Sequence, residues 1–342
     1  MKRPLAMILA ALTMLLTAGC AGFSGGDSQE EPLEIESQTW TLVAGGSKSA
    51  TWKDAADYFA GQISQATNGT VTVTVQAEED LPEGTTGLQA VRNGTASLYL
   101  SSNTDYAQLD QRLNVVNLPF LFPSEEAAET LLDGAGGQAL DGVLAEYGLH
   151  CIGIGEEGFR YPTNRVRAIT CVEDMKGLRI RVAGSEEISR AYRLWGADVV
   201  EAAWPLVYTA LQTGTYDGQE MPLVTANAAS IQDVQSYLTR WTGIYGCLYF
   251  CMNQELYASL SPTLQDIVSD CGQKTAQEQR QKNRQEESDI LQSWKKVQIT
   301  ELTEDAAQAF RDAAQPCYDQ FARSVDAELL KVFTDGAVSS EK

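Results

Sequence analysis

The stretch Leu178-Arg179-Ile180-Arg181-Val182 decides the fold. Apolar and charged residues alternate there with a period of two, the mark of a β-strand with one buried face. Outward along the chain, a helical pattern runs through Leu194. A short strand follows near Val199-Val200, then a helix over Leu206 to Thr213, then Asp217-Gly218-Gln219-Glu220-Met221-Pro222. The same alternation runs back toward the N-terminus. Trp40 to Ala44 reads as a strand. Ala56, Phe59, Ala60 and Ile63 share one helix face, closed by Asn68-Gly69. Val71, Val73 and Val75 alternate with Thr, Leu88 to Val91 is helical, and Ala96 to Leu100 is a strand. Ser124-Glu125-Glu126 opens a helix with carboxylates in its first turn, and His150 to Ile154 is a strand. Repeated βα units imply an α/β fold with mostly parallel sheets covered by helices. Two such sheets flanking a cleft would place a ligand at the carboxyl ends of the strands. Leu264, Ile267, Val268 and Cys271 begin a long C-terminal helix. Its continuation from Glu278 to Lys296 carries mixed charges and reads as a solvated face.

The 342 residues carry 25 Lys+Arg against 46 Asp+Glu, a formal net charge of −21. That length allows roughly two domains. So acidic a chain is unsuited to nucleic acid, whose phosphates must be met by clustered Lys and Arg. Nor does it suit an electrostatic grip on anionic lipid. A single histidine, His150, excludes multi-histidine metal sites; it shows no obvious partner. The chain has no nucleophile elbow and no Walker loop. Gly153-Ile154-Gly155 is half of a dinucleotide fingerprint without its helix, and Ser47 reads as a turn or cap. No metal and no cofactor is expected, and no catalytic residue stands out.

Residues 1–19 have the form of a signal peptide: Lys2 and Arg3, then an apolar run from Leu5 to Leu16. Leu16-Thr17-Ala18-Gly19-Cys20 resembles a bacterial lipobox, which implies cleavage before Cys20 and lipidation of its thiol. Residues 20–37, rich in Gly, Ser, Asp, Gln and Glu, read as a flexible tether. No later segment is apolar enough to cross a membrane, so the expected membrane contact is through the N-terminal lipid only. Six further cysteines (Cys151, Cys171, Cys247, Cys251, Cys271 and Cys317) permit disulfides in an exported chain. Sequence cannot choose among their 15 pairings. Buried free thiols are an equally good reading. Cys247 and Cys251 lie about 13 Å apart on one strand and cannot bridge each other.

Four segments taken together carry a family resemblance. They are Gly158-Phe159-Arg160-Tyr161, Asp174-Met175-Lys176-Gly177-Leu178-Arg179-Ile180-Arg181-Val182, Trp204 to Gly214 and Asp217 to Pro222. Their order and spacing closely resemble the substrate-binding proteins of tripartite ATP-independent periplasmic (TRAP) transporters, the DctP family. Leu118-Pro119-Phe120-Leu121-Phe122 and the Leu88 to Gly94 helix end fit the family pattern too. The resemblance covers residues 38 to 330.

It implies a two-domain, periplasmic-binding-protein-like clamshell with a long C-terminal helix. Domain I would take 38–157 plus 247–286, and domain II 158–246 plus 287–332. It implies an extracytoplasmic receptor for a small organic acid, not an enzyme, with TRAP membrane permease subunits as partners. A ligand-sensing partner of a receptor kinase would keep the same fold and site, and an extracytoplasmic enzyme is the weaker alternative. The family's ligand-binding arginine falls on Arg181. A guanidinium meets a carboxylate with two parallel hydrogen bonds, which Lys cannot do. Arg179 shares the strand face, so pattern alone does not separate the two, and either could instead form a structural ion pair. Arg160 matches a second arginine that touches the carboxylate in some members. Trp204 stands at an aromatic ligand wall. Met221 replaces an asparagine that often hydrogen-bonds ligand. Ser102 and Asn103 lie in a loop that contacts ligand in some members, and Trp52 is either another wall or a core residue. Met221 and Trp204 together suggest a ligand less polar than a sugar acid.

Overall fold

The computed structural model describes residues 36–45, 50–202 and 206–339. The signal segment, Cys20, most of the tether, Ser47 and Trp204 lie outside the described residues. The strands are β1 (Gln38–Ala44), β2 (Val71–Ala77), β3 (Leu98–Ser102), β4 (Leu149–Asn164) and β5 (Arg179–Val182). They continue with β6 (Asp198–Glu201), β7 (Gly218–Pro222), β8 (Tyr237–Arg240), β9 (Tyr245–Asn253) and β10 (Gln298–Glu301). Helices fill the connections, and their ends follow local chemistry. The Ser124 and Ser185 hydroxyls accept from the Ala127 and Ile188 amides at the starts of Glu125–Leu132 and Glu186–Leu194. Asn68 and Gly69 take positive φ (51° and 79°) just past the helix Ala50–Ala66.

The strands run in the order β2-β1-β3-β9-β4-β7-β5-β6, with β8 joining β4 to β10. Pairing is parallel at both ends (β1 with β2 and β3, β5 with β6 and β7) and antiparallel in the middle. Strand β4 holds the two halves together. Leu149 to Phe159 pairs with β9, and Arg160 to Asn164 pairs with β7. Two register shifts, between Cys151 and Gly153 and between Glu156 and Gly158, bend it. Gly158 takes φ 91° at the second shift, a conformation that costs glycine nothing.

The helix Pro262–Ser293 lies along β4, and here the structure corrects the sequence expectation. Its charged continuation is solvated on one side only. Gln279, Arg280, Asn283 and Glu287 are buried against β4. The Gln279 side chain accepts from the Glu156 amide (2.7 Å) and donates to the Glu156 carbonyl (2.8 Å). Arg280 donates to the Ile154 carbonyl and forks onto Asp133 at 2.6 and 2.8 Å. Tyr161 donates to Glu287 at 2.6 Å. The cause is the open edge of β4. Residues 149–159 pair with β9 on one side only, and buried backbone polar groups on the other side must find partners. Polar helix side chains provide them.

The Gly153-Ile154-Gly155 sequence has a packing role. A Cβ on Gly153 would lie 2.7 Å from the Gly272 carbonyl oxygen, and one on Gly272 would lie 2.3 Å from that of Ile152. Gly272→Ala therefore forces backbone apart. It should cost about 1–3 kcal/mol and lower the melting temperature by several degrees, whereas Gly61→Ala, where a Cβ meets nothing, should not. Equal melting points for the two variants in calorimetry would refute the close approach.

His150 does have partners, contrary to the sequence reading. Its Nδ1 lies 3.3 Å from Asp141, and its ring sits 3.9 Å from that of Tyr257. All six described cysteines are free thiols. No helix among the described residues is long and apolar enough to cross a membrane.

Candidate functional site

A cavity of about 600 Å³ opens between the two halves of the sheet, at the carboxyl ends of its strands. One half contributes Trp52, Glu78 just past β2, Ser102 at the end of β3, and Asp105 beyond it. The other contributes Arg181 and Ala183 from the end of β5, Ala202 past β6, and Met221 from β7. Between them β4 supplies Glu157 and Arg160.

Arg160 is the charged centre of this wall. It is only 4% exposed and binds Glu220, itself fully buried, through Nε (2.6 Å) and Nη2 (3.2 Å). Its Nη1 donates to Glu157 at 3.3 Å. Burial works against the Arg160 charge, yet the two carboxylates hold its pKa above the ordinary value. Glu220 also accepts from the Ala183 amide at 2.9 Å, which ties the pair to the end of β5. Arg181 is 6% exposed, and its Nε donates to the Ala202 carbonyl at 2.9 Å. Burial pulls its pKa down to about 10, against the attraction of Glu220. A guanidinium so poorly hydrated gains strongly from an incoming anion.

The facing wall is acidic. Glu157 accepts from the Ser102 hydroxyl at 2.9 Å, and burial pushes its pKa up to about 7, opposed by Arg160 and Ser102. Burial raises Asp105 as well, although the Ser101 hydroxyl donates to it. Glu78 accepts from the Gly87 amide (2.6 Å) and the Tyr99 hydroxyl (3.2 Å). Among described lining residues, Glu78, Asp105, Glu157 and Glu201 face only two cations, Arg160 and Arg181. This arrangement offers one seat for a carboxylate and several hydrogen-bond acceptors opposite it. The described residues hold no group of three or more His, Cys, Asp or Glu able to bind a metal.

Glu157 sets a pH dependence. It binds a proton in the folded protein up to about pH 7, and its ordinary value is 4.5. Between those values the folded state holds more protons than the unfolded one, so stability falls as pH rises through that window. The groups facing it are Ser102, Arg160, Asp105 and Glu220. Glu125, raised to about 7 mainly by burial, adds a contribution of the same sign. The ligand-free protein should melt lower at pH 7.5 than at pH 5.5, by an amount on the order of 1–3 kcal/mol. Glu157→Gln should flatten that slope; a variant with the wild-type slope would remove Glu157 from the account.

The structure brings Arg181, Arg160, Met221, Ser102 and Trp52 to one cavity. It also separates the two arginines that periodicity could not. Arg179 stands at the far end of β5, 45% exposed at its side chain, paired with Asp217 at 2.8 Å. Asn103 does not line the cavity. It is buried, accepts from the Cys247 amide (3.1 Å) and donates to Asn117 (2.9 Å). Sequence reasoning missed Glu157, Glu220, Asp105 and Glu78. Glu157 had a signal, a carboxylate three residues before Arg160 on one strand, but nothing in one dimension paired Glu220 with that arginine.

Residues 43–324 match the family model described as bacterial extracellular solute-binding protein, family 7 (DctP). The chain is 28% identical over 320 residues to the 2,3-diketo-L-gulonate-binding periplasmic protein YiaO of Escherichia coli K12, covering 93% of this chain and 95% of that one. Among solved structures it resembles the sugar acid binding protein DctPAm of Advenella mimigardefordensis in complex with galactonate. The TM-score is 0.82 at 26% identity, over 90% of this chain and all of that one. It also resembles a TRAP periplasmic solute binding protein of Ochrobactrum anthropi, with a TM-score of 0.84 at 28% identity, over 90% and 98% of the two chains.

Proposed function

Because the chain belongs to family 7 of the bacterial extracellular solute-binding proteins, we propose that it is an extracytoplasmic receptor for a small organic acid, delivered to a TRAP-type membrane permease. One observation carries the reading to this chain: the buried, poorly hydrated Arg181 guanidinium in a cavity between two half-sheets. Arg181 receives the ligand carboxylate. Arg160, engaged by Glu220 and Glu157, shapes the wall beside it and adds positive potential. Met221 and Trp52 give the ligand carbon-facing walls. Ser102, Asp105 and Glu157 accept hydrogen bonds from its far end, which suits a hydroxylated acid better than the less polar ligand that Met221 and Trp204 suggest from sequence, because the acceptors opposite outnumber the apolar walls. Galactonate in the Advenella protein and 2,3-diketo-L-gulonate in the name of the Escherichia coli protein are acids of that kind. Trp204 joins the wall in this reading on the family resemblance alone.

The halves act as domains, 38–157 plus 247–286 and 158–246 plus 287–332, which close over the acid by bending where β4 is already irregular. Mass spectrometry of the small molecule carried by the purified protein tests the function. A hydroxylated carboxylic acid that binds with a measurable heat supports it. A carried cation or nucleotide, with no acid bound, would overturn it.

The Lys2-Arg3 start, the Leu5 to Leu16 run and Leu16-Thr17-Ala18-Gly19-Cys20 support a signal peptide and a lipid anchor on Cys20. Cys20→Ser should leave the protein unprocessed or released from the membrane. A diacylglycerol group still present on that variant would refute the anchor.

A further inference from the structure

Strands β4 and β9 are antiparallel, and their register sets Cys151 directly opposite Cys251. The hydrogen-bond phase at that point follows from two observations. The Gln254 amide donates to the Gly148 carbonyl at 3.0 Å, which makes 148 and 254 a hydrogen-bonded pair. Three residues further along, the alternation of the ladder makes 151 and 251 a non-hydrogen-bonded pair. In agreement, the Cys151 amide turns away from β9 and donates to the Asp141 carboxylate at 2.7 Å. Directly opposed residues project from the same face of the sheet, and in a non-hydrogen-bonded pair their Cα atoms approach to about 4.5 Å. A disulfide needs a Cα separation of about 4.4–6.8 Å, so this pair needs no backbone rearrangement. The register sets Cys247 opposite Glu156, not opposite a thiol.

Access is asymmetric. This part of β4 is the edge of its half-sheet. Cys151 is half-buried and lines a cavity of about 360 Å³ between the helices Ala135–Ala145 and Pro262–Ser293, beside Asp141 and Gln277. Cys251 lies behind it, fully buried. Burial, and after it the neighbouring Cys151 thiol, pushes the Cys251 thiol up.

We propose that Cys151 and Cys251 are an oxidisable dithiol that closes a cross-strand disulfide between β4 and β9 when the chain meets a small-molecule or protein disulfide outside the cytoplasm. The inference needs export but not the identity of the ligand. The Cys151 thiolate attacks one sulfur of the oxidant. A mixed disulfide forms and one thiolate leaves. Cys251 then loses its proton and attacks the Cys151 sulfur, expelling the second thiolate. Two protein thiols give up two electrons and two protons, and the oxidant disulfide becomes two thiols. The buried Cys251 makes the second step the slower one, since the thiolate is the attacking form.

The reduced full chain, treated with oxidised glutathione and mapped by mass spectrometry without reduction, tests the proposal. The expected product has lost about 2 Da and yields one linked peptide pair joining Cys151 to Cys251. Cys251→Ala should stop at a glutathione adduct on Cys151. The oxidised wild type should melt higher than the reduced protein, and Cys151→Ser should lose that gain. No linked pair in the wild type, or Cys151 linked to any other cysteine, would overturn the inference. The wild-type map decides the matter even where a variant fails to fold.

Discussion

Arg181→Ala is expected to weaken binding of the carried acid by a factor of several hundred or more. The guanidinium is buried, and burial has already drawn its pKa down to about 10. A carboxylate taken into the same cavity without a cation opposite loses its hydration and gains no ion pair. Breaking a buried pair by removing one member costs about 3–5 kcal/mol, and each 1.4 kcal/mol is roughly tenfold in affinity. Arg181→Lys should recover little of the loss, since a point charge with rotating donors cannot reproduce two parallel bonds. The ligand-free variants should melt close to the wild type, because removing a poorly hydrated charge also removes its desolvation cost. Calorimetric titration with the eluted acid, beside melting curves, separates the two readouts. Wild-type affinity in both variants would take Arg181 out of the site. A large fall in the melting point without a fall in affinity would make its role structural.

Arg160→Ala should act the other way round, first on stability. Glu157 and Glu220 are buried, and Arg160 lies within hydrogen-bonding distance of both. Truncating it leaves two carboxylates facing each other without a charge partner, again about 3–5 kcal/mol. In a chain of this size each 1 kcal/mol shifts the melting temperature by roughly 1–2 °C, so a fall of about 5 °C is expected. The fall should be smaller at pH 5 than at pH 8. Without Arg160, which holds the buried Glu157 carboxyl down, Glu157 titrates higher still, and protonating it removes the repulsion. Arg160→Met combined with Glu220→Gln should recover part of the loss, because the pair is then replaced rather than broken. A melting point within about 2 °C of wild type for Arg160→Ala would show that the pair contributes little.

Local rules carried much of the fold. The alternation at Leu178 to Val182, the apolar stripe of Ala56 to Ile63, and the helix start at Ser124 each depend on residues within one or two turns of one another. That range is what a sequence displays directly. The spacing of the segments from Gly158 to Pro222 also carried the family, over nearly the whole described chain. Arg181 as a candidate came from the same source.

Tertiary structure decided what depends on contacts between distant segments. Part of the polar face of Pro262–Ser293 is buried, because the open edge of β4 needs hydrogen-bond partners that no neighbouring strand supplies. Arg179 and Arg181 are equivalent by period, and only the position of the cavity at the end of β5 separates them. Glu157 and Glu220 stand 63 residues apart and meet at Arg160 through strand pairing. Sequence left 15 ways to pair six thiols; in the fold all six are free, and the register of β4 against β9 sets Cys151 opposite Cys251. Period and spacing report which face a residue occupies. Which face it meets across the fold is set by register, and register is a property of two strands, not of one.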